Sequence, residues 1–353
     1  MNAIPLPQFR VFTGEQVHAV VREHRHAVLD AVEAAYRAHH AGRTVNPESQ
    51  FLRFPDGRSN RIIALPAHID ADDGDVGDGV TGIKWISSFP ENIAHGMPRA
   101  SAVLILNDPV TGYPMACMEA SIISAARTAA SAISALKCLA GRGPTQSTQS
   151  TNSSAVRIAF VGTGLIARHV AEGLPLAGVP IEQVILYDLN ETYAAMLAGR
   201  IQSQLGYEVT TASSLEQAIR QADVVVFTTT AAVPYVDNPD WFSHCPVVLH
   251  LSLRDLAPAV ILEAHNVVDD IEHCLRAMTS LHRTEMATGH RRFVTTSLPH
   301  LLSGGEAPTR DRPIVFSPFG MGILDIAVGR WVYDRLAAQQ APIPRFFYDM
   351  QRA

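Results

Sequence analysis

Cysteine is scarce and scattered in this 353-residue chain: Cys117, Cys138, Cys245 and Cys274 form no CxxC pair, and no histidines stand at zinc-ligand spacing. A disulfide framework is excluded, no metal is expected, and buried thiols are the expected role of all four. Clusters of Lys and Arg are lacking too, and the formal net charge is −6, so no nucleic-acid partner held by phosphate neutralisation is expected. No run of 18 apolar residues occurs, and Met1–Asn2–Ala3–Ile4–Pro5–Leu6–Pro7 has no basic segment followed by an apolar one. The expectation is therefore a cytoplasmic protein with no membrane partner. Charged residues make up only 18% against 47% hydrophobic, the balance of a chain that buries cores. Its length predicts two domains.

What stands out is a glycine-rich turn near the midpoint, Val156–Arg157–Ile158–Ala159–Phe160–Val161–Gly162–Thr163–Gly164–Leu165–Ile166–Ala167–Arg168. The apolar run to Val161 reads as a buried parallel strand. Gly162 permits the tight turn, Gly164 lets backbone approach a pyrophosphate, and Ala167 is small enough for close helix packing. The amides that open the helix, at Thr163, Leu165 and Ile166, favour an anion. About twenty residues on, the strand Val184–Ile185–Leu186–Tyr187–Asp188 ends in an acid suited to accept hydrogen bonds from both adenosine ribose hydroxyls and to repel a 2′-phosphate. The pair of features predicts a dinucleotide cofactor, NAD rather than NADP. Thr228, Thr229 and Thr230, at the end of a later strand, are expected to line the adenosine side or simply to finish the strand.

Before that turn, residues 16–41 carry apolar positions at helical spacing, with His18, His24, His26, His39 and His40 mostly on the polar side, where solvation is expected. Short β-like runs follow at 61–65, 81–86 and 102–107, then a long Ala-rich helix over about 119–140 that carries Arg127. Residues 145–154 are wholly Thr, Gln, Ser and Asn, too polar to offset chain ordering, which predicts a flexible linker. Beyond it, strands near 156–161, 183–188, 223–228 and 246–251 alternate with helices near 165–177, 192–205 and 214–221, the pattern of a doubly wound parallel sheet. A last helical pattern with Ile323, Ile326, Ala327, Val328, Trp331, Val332 and Leu336 is expected to return to the first domain. The expected boundaries are 1–144 with 318–353, and 155–317, the second being an inserted Rossmann-type α/β domain.

Four cations stand in or beside apolar runs of the first domain: Arg61, Lys84, Arg99 and Arg127. Burying a cation costs several kcal/mol unless it is paired, and the neighbouring segments offer few acids, so an anionic ligand is the expected partner. For Arg127 the alternative is an intrachain ion pair, with Glu119 the nearest candidate. Lys84 either binds a carboxylate or, with a pKa lowered by burial, takes part in proton transfer. Asp255 follows the buried strand around Val248–His250, at the end of the sheet where ligands bind; it reads either as a base or water-orienting group or as the N-cap of a short helix around 257–263.

Gly82–Ile83–Lys84–Trp85, the run from Glu119 containing Arg127–Thr128–Ala129–Ala130, and Gly162–Thr163–Gly164 together resemble the ornithine cyclodeaminase/mu-crystallin family over nearly the whole chain. Lys84–Trp85–Ile86–Ser87–Ser88, Arg99–Ala100–Ser101, Ile105–Leu106–Asn107–Asp108 and Ser317–Pro318–Phe319–Gly320–Met321–Gly322 look most like the branch that makes 2,3-diaminopropionate for siderophores and peptide natural products. The resemblance implies a homodimer, an α+β substrate-binding and dimerisation domain, and an inserted NAD domain. It implies catalytic or substrate-binding roles for Lys84, Arg127 and Asp255, with Arg53 the nearest match to an expected upstream arginine and Arg99 a further substrate-binding group. The implied reaction removes a hydride from the glutamate Cα of an N-linked amino acid bearing several carboxylates, and water then hydrolyses the imine. Within the family the alternatives are ornithine cyclodeamination, ketimine reduction and nucleotide-dependent binding without turnover.

Overall fold

The computed structural model describes residues 8–55, 60–71, 79–140, 155–344 and 346–347. The polar tract 145–154 lies outside them. The chain divides into two compact units, Met1–Arg127 with Met321–Ala353, and Thr128–Gly320. The division falls inside the helix Ser121–Ala140 rather than in the polar tract, because that helix runs unbroken past Arg127.

The first unit is built on a mixed sheet of seven strands: β1 (Arg10–Phe12), β2 (Thr44–Val45), β3 (Gln50–Arg53), β4 (Arg61–Ile69), β5 (Val80–Ser88), β6 (Ala100–Asn107) and β7 (Pro114–Glu119). Their order is β1-β7-β6-β5-β4-β2, with β3 also pairing β4. All neighbours are antiparallel except β1, which runs parallel to β7. The ladder sets Leu65, Lys84, Leu104 and Met118 side by side, so these four share one face. All four are buried. The C-terminal helix Gly322–Leu336 packs on that face, close enough that a Cβ at Gly329 would fall 1.9 Å from Leu104 Cδ2. Any larger residue there would force Leu104 to move. On the opposite face, Val11, Trp85 and Val103 stand exposed. The single opening helix expected from the sequence is two, Gly14–Glu23 and Arg25–His40, because His24 leaves helical geometry with φ −124° and ψ 46°.

The second unit is an eight-stranded, all-parallel sheet: β8 (Val156–Val161), β9 (Ile181–Tyr187), β10 (Glu208–Thr211), β11 (Val224–Phe227), β12 (Val247–His250), β13 (His265–Val268), β14 (Val294–Ser297) and β15 (Ile314–Ser317). The order is β10-β9-β8-β11-β12-β15-β13-β14. The strands β8, β11, β12 and β15 are near-continuous apolar runs, interrupted by Arg157 in β8 and ending on His250 in β12 and Ser317 in β15, as sheets covered on both faces require. From β8 the chain winds outward to β9 and β10, then crosses back to β11, so the order reverses between β8 and β11. The carboxyl ends flanking that reversal are where open α/β sheets bind ligands. The helix Ser121–Ala140 is long and apolar enough to cross a membrane by length and composition, but most of it is buried within the protein and it carries Arg127.

Candidate active site

The first unit concentrates charge on the helix-covered face of its sheet. Lys84 projects from the middle of β5 and is 1% exposed. Its ammonium lies 2.7 Å from Asp325 Oδ2 and donates to Ser124 Oγ at 3.2 Å. Arg127 donates from Nε to the other oxygen of the same carboxylate, Asp325 Oδ1, at 3.1 Å. Ser124 and Arg127 sit three residues apart on one helix and therefore share a face. Burial, the largest effect, pulls the Lys84 pKa down; Asp325 pulls it up and Arg127 down again, leaving it at about 8.

These contacts correct the expectation that Lys84 and Arg127 lack an internal acid. Asp325 comes from the C-terminal helix, while Glu119 is engaged with Ser121 and the amide of Ile122 at the start of the long helix. The correction is partial in charge. A buried cation and a partly buried one share one carboxylate, so the cluster keeps one positive charge in surplus. Arg53 is exposed at the end of β3 and lies over the Phe51 ring at 5.1 Å. Arg99 precedes β6, partly buried, and burial alone lowers its pKa; among the described residues no acid faces it.

In the second unit the glycine turn occupies the reversal point. Gly162 follows β8 with φ +85°, and a Cβ there would lie 3.0 Å from the carbonyl of Thr228, just past β11. Thr228 closes the turn by donating from its hydroxyl to Gly162 O at 2.6 Å. Gly164 caps the helix Leu165–Gly173, and a Cβ at that position would meet nothing within 4 Å. That open space is what close approach of a pyrophosphate needs. Leu165 and Ile166 form the first turn, and Ala167 is fully buried beneath them. Asp188, just past β9, accepts at 2.7 Å from both the amide and the hydroxyl of Thr163, and at 2.8 Å from the amide of Asn190. Its carboxylate is thus fixed beside the turn, with acceptor capacity left for a ribose diol. The residues present fit a dinucleotide.

Asp255 is fully buried and does not cap a helix: the helix Pro258–Leu262 is capped by Ala257. Its carboxylate is the centre of a network. Oδ1 accepts from the hydroxyls of Thr229 and of Tyr235, the latter at 2.9 Å, and Oδ2 from Ser252 and His250, the latter at 3.1 Å. The other ring nitrogen of His250 meets Ser317 Oγ at 3.0 Å. Burial pushes the Asp255 carboxyl up, but hydrogen bonds from His250, Ser252 and Thr229 together with the His250 charge outweigh it and hold it at about 2. Burial, and then the Asp255 charge, push the Tyr235 phenol well above its ordinary value. Asp255 is a fixed anion at neutral pH. Thr229, expected on the adenosine side, spends its hydroxyl here.

Sequence reasoning missed Asp325, Ser124, and the Tyr235, His250, Ser252 and Ser317 surroundings of Asp255. One signal was present: Asp325 sits between Leu324 and Ile326 in a helix whose other residues are mostly apolar. No cluster of His, Cys, Asp and Glu suited to a metal occurs among the described residues.

The model of the ornithine cyclodeaminase/mu-crystallin family matches residues 13–340. The N-((2S)-2-amino-2-carboxyethyl)-L-glutamate dehydrogenase of Staphylococcus aureus is 31% identical over 327 residues, covering 90% of this chain and 92% of its own. Among solved structures, the Thermococcus litoralis Delta(1)-pyrroline-2-carboxylate reductase, in complex with NADH and L-proline, superposes with a TM-score of 0.81 at 22% identity, covering 95% of this chain and 100% of that one. An archaeal alanine dehydrogenase dimer with bound NAD gives 0.80 at 25% identity, covering 96% and 100%.

Proposed function

Because the chain belongs to the ornithine cyclodeaminase/mu-crystallin family, we propose that it oxidatively cleaves N-((2S)-2-amino-2-carboxyethyl)-L-glutamate to L-2,3-diaminopropionate and 2-oxoglutarate. It is an oxidoreductase acting on amino acids, and its cofactor is NAD. The observation that carries the substrate assignment is the surplus positive charge: Lys84 and Arg127 share the single carboxylate of Asp325, and among the described residues no acid faces Arg99. A substrate with several carboxylates supplies the missing negative charge; alanine and proline bring only one.

When bound, NAD would supply the two-electron acceptor for the hydride leaving the glutamate Cα. The chain's residues do the rest. Gly162, Gly164, Leu165 and Ile166 hold the pyrophosphate, Thr163 fixes Asp188 through its amide and hydroxyl, Asp188 holds the ribose, and Thr228 closes the turn. Lys84 and Arg127 seat a substrate carboxylate, with Asp325 fixing both cations, and Arg53 and Arg99 engage the remaining carboxylates. Asp255, ionised throughout the neutral range, favours the positive charge that develops on the substrate nitrogen and orients the hydrolytic water. Water adds to the imine carbon and the C–N bond breaks, so one substrate, one NAD and one water give diaminopropionate, 2-oxoglutarate, NADH and a proton. The amine product suits supply of a siderophore or peptide natural-product pathway.

The assembly we assign is a homodimer. The open sheet face bearing Val11, Trp85 and Val103 is an apolar surface of the kind that a second copy covers, and the archaeal alanine dehydrogenase of the same fold is a dimer. The test of the reaction is absorbance of NADH with each amino acid. NADH is expected to accumulate with the N-linked tricarboxylate and not with ornithine, alanine or proline. Proline forming from ornithine without net NADH would overturn the assignment.

A further inference from the structure

The segment Ser317–Pro318–Phe319–Gly320 carries part of the family resemblance, yet no step above uses it. Its serine has a defined place in the second unit. β11, β12 and β15 are adjacent parallel strands in level register, Phe227 beside His250 and, one step past Leu249 and Phe316, His250 beside Ser317. The His250 ring is fully buried, Phe227 meets it edge-on with centroids 6.0 Å apart, and Ser317 is 2% exposed. A ring closed off from water in this way must satisfy both nitrogens from protein groups. Nδ1 has the Ser317 hydroxyl at 3.0 Å, whereas Nε2 has two neighbours, Asp255 Oδ2 at 3.1 Å and the Asp255 amide at 3.2 Å. Those two neighbours demand opposite tautomers. A bare Nε2 accepts from the amide but sets its lone pair against the carboxylate; a protonated Nε2 donates to the carboxylate, as an anion in a dry site requires. In the neutral ring Nδ1 is then the acceptor, and the Ser317 hydroxyl supplies the donor. Ser317 is itself pinned. Cys274 donates its thiol to Ser317 O at 3.1 Å, and the buried Asp269 accepts from the amides of Phe319 at 2.9 Å and Gly320 at 2.7 Å.

We infer that Ser317 and His250 are positioning residues for the reaction: a hydrogen-bond chain from the Ser317 hydroxyl to His250 Nδ1, and from His250 Nε2 to Asp255 Oδ2, keeps a proton on Nε2 and fixes the carboxylate that faces the substrate nitrogen. The chain runs in one direction, so the bond accepted at Nδ1 strengthens the one donated from Nε2. Asp269 and Cys274 act one step further back, by fastening the backbone that carries the serine. This inference rests on the proposed role of Asp255 and names what holds that carboxylate in place.

The experiment has two readouts on the NAD-loaded full chain. Ring-nitrogen NMR of isotope-labelled histidine, with the His250 signals identified by their loss in His250→Gln, is expected to show a protonated Nε2 in the parent and a changed tautomer balance in Ser317→Ala. The second readout is kcat and KM for NADH formation from the N-linked tricarboxylate. Ser317→Ala is expected to lower kcat about tenfold, the scale of one hydrogen bond to a charged group, with KM near the parent value because the substrate carboxylates are seated elsewhere. Ser317→Thr, which keeps the hydroxyl, is expected to restore part of the loss. In the His250→Gln background Ser317→Ala is expected to cost nothing further, since no ring nitrogen remains for the serine to hold. Equal losses in the two backgrounds would make Ser317 merely structural and overturn the inference, as would a bare Nε2 in the parent. A protonated Nε2 that responds to Ser317→Ala, in a parent that forms no NADH from the tricarboxylate, would overturn the proposed reaction while leaving the chain to Asp255 standing.

Discussion

Lys84 is the residue on which the substrate assignment turns, because its charge is conditional. Burial holds its pKa near 8 although Asp325 lies 2.7 Å away, so the ammonium is complete below that pH and lost above it. The folded chain binds fewer protons than the unfolded one between about 8 and the ordinary lysine value, so this group's contribution to stability rises with pH across that window. Activity moves the opposite way. A seated carboxylate needs the charge, and kcat/KM, which reports groups of the free enzyme, is expected to fall about tenfold per pH unit above 8. Lys84→Met should be slow and without that limb, and Asp325→Asn, which removes the partner that raises the pKa, should shift the limb to lower pH. A rise of kcat/KM through pH 8 would mean that neutral Lys84 acts as a base. Lys84 and Arg127 were legible in the sequence because a cation amid apolar neighbours is conspicuous in a window of a few residues. Asp325 was not, since it meets Arg127 across 198 positions and only tertiary packing brings them together.

Among the elements, the strand β8, its glycine turn and the following helix form the piece most fully written in local sequence. An apolar run, a residue with φ +85°, and a helix start with open space beside Gly164 follow one another without help from distant segments. Gly162→Ala imposes left-handed geometry on a Cβ and presses it against the Thr228 carbonyl at 3.0 Å. The expected cost is about 1–2 kcal/mol of stability, with NAD affinity reduced about tenfold or more, read by calorimetry and thermal unfolding. Unchanged affinity would remove the turn from the nucleotide site. The outer half of the parallel sheet was less legible. β15 enters between β12 and β13, an order set by how crossovers pack and not by any run of residues. The surroundings of Asp255 were hidden for the same reason. Thr229 and Tyr235 come from the segment after β11, and His250 and Ser252 from the end of β12 and just beyond it, and an aspartate after a strand looks alike whether it caps a helix or gathers four donors.

At the scale of the molecule, the first unit has a sheet with one face closed by the C-terminal helix and the other apolar and open, with Trp85 43% and Val103 39% exposed. Sedimentation velocity at micromolar concentration should show a dimer for the parent and a monomer for a Trp85→Glu, Val103→Glu double variant that keeps its fold by circular dichroism. A monomeric parent would contradict the assembly. The family resemblance was legible because its motifs are short and lie in separate elements, whereas the charge balance of the substrate seat depends on Asp325 and needed the folded chain. That balance is the centre of the account, and a crystal structure of the enzyme with NAD and the N-linked tricarboxylate tests it most directly. The account predicts a substrate carboxylate within hydrogen-bond reach of both Lys84 Nζ and the Arg127 guanidinium, with Asp325 still holding each cation from its other side. A ligand bound elsewhere, with Asp325 as the sole partner of both, would contradict it.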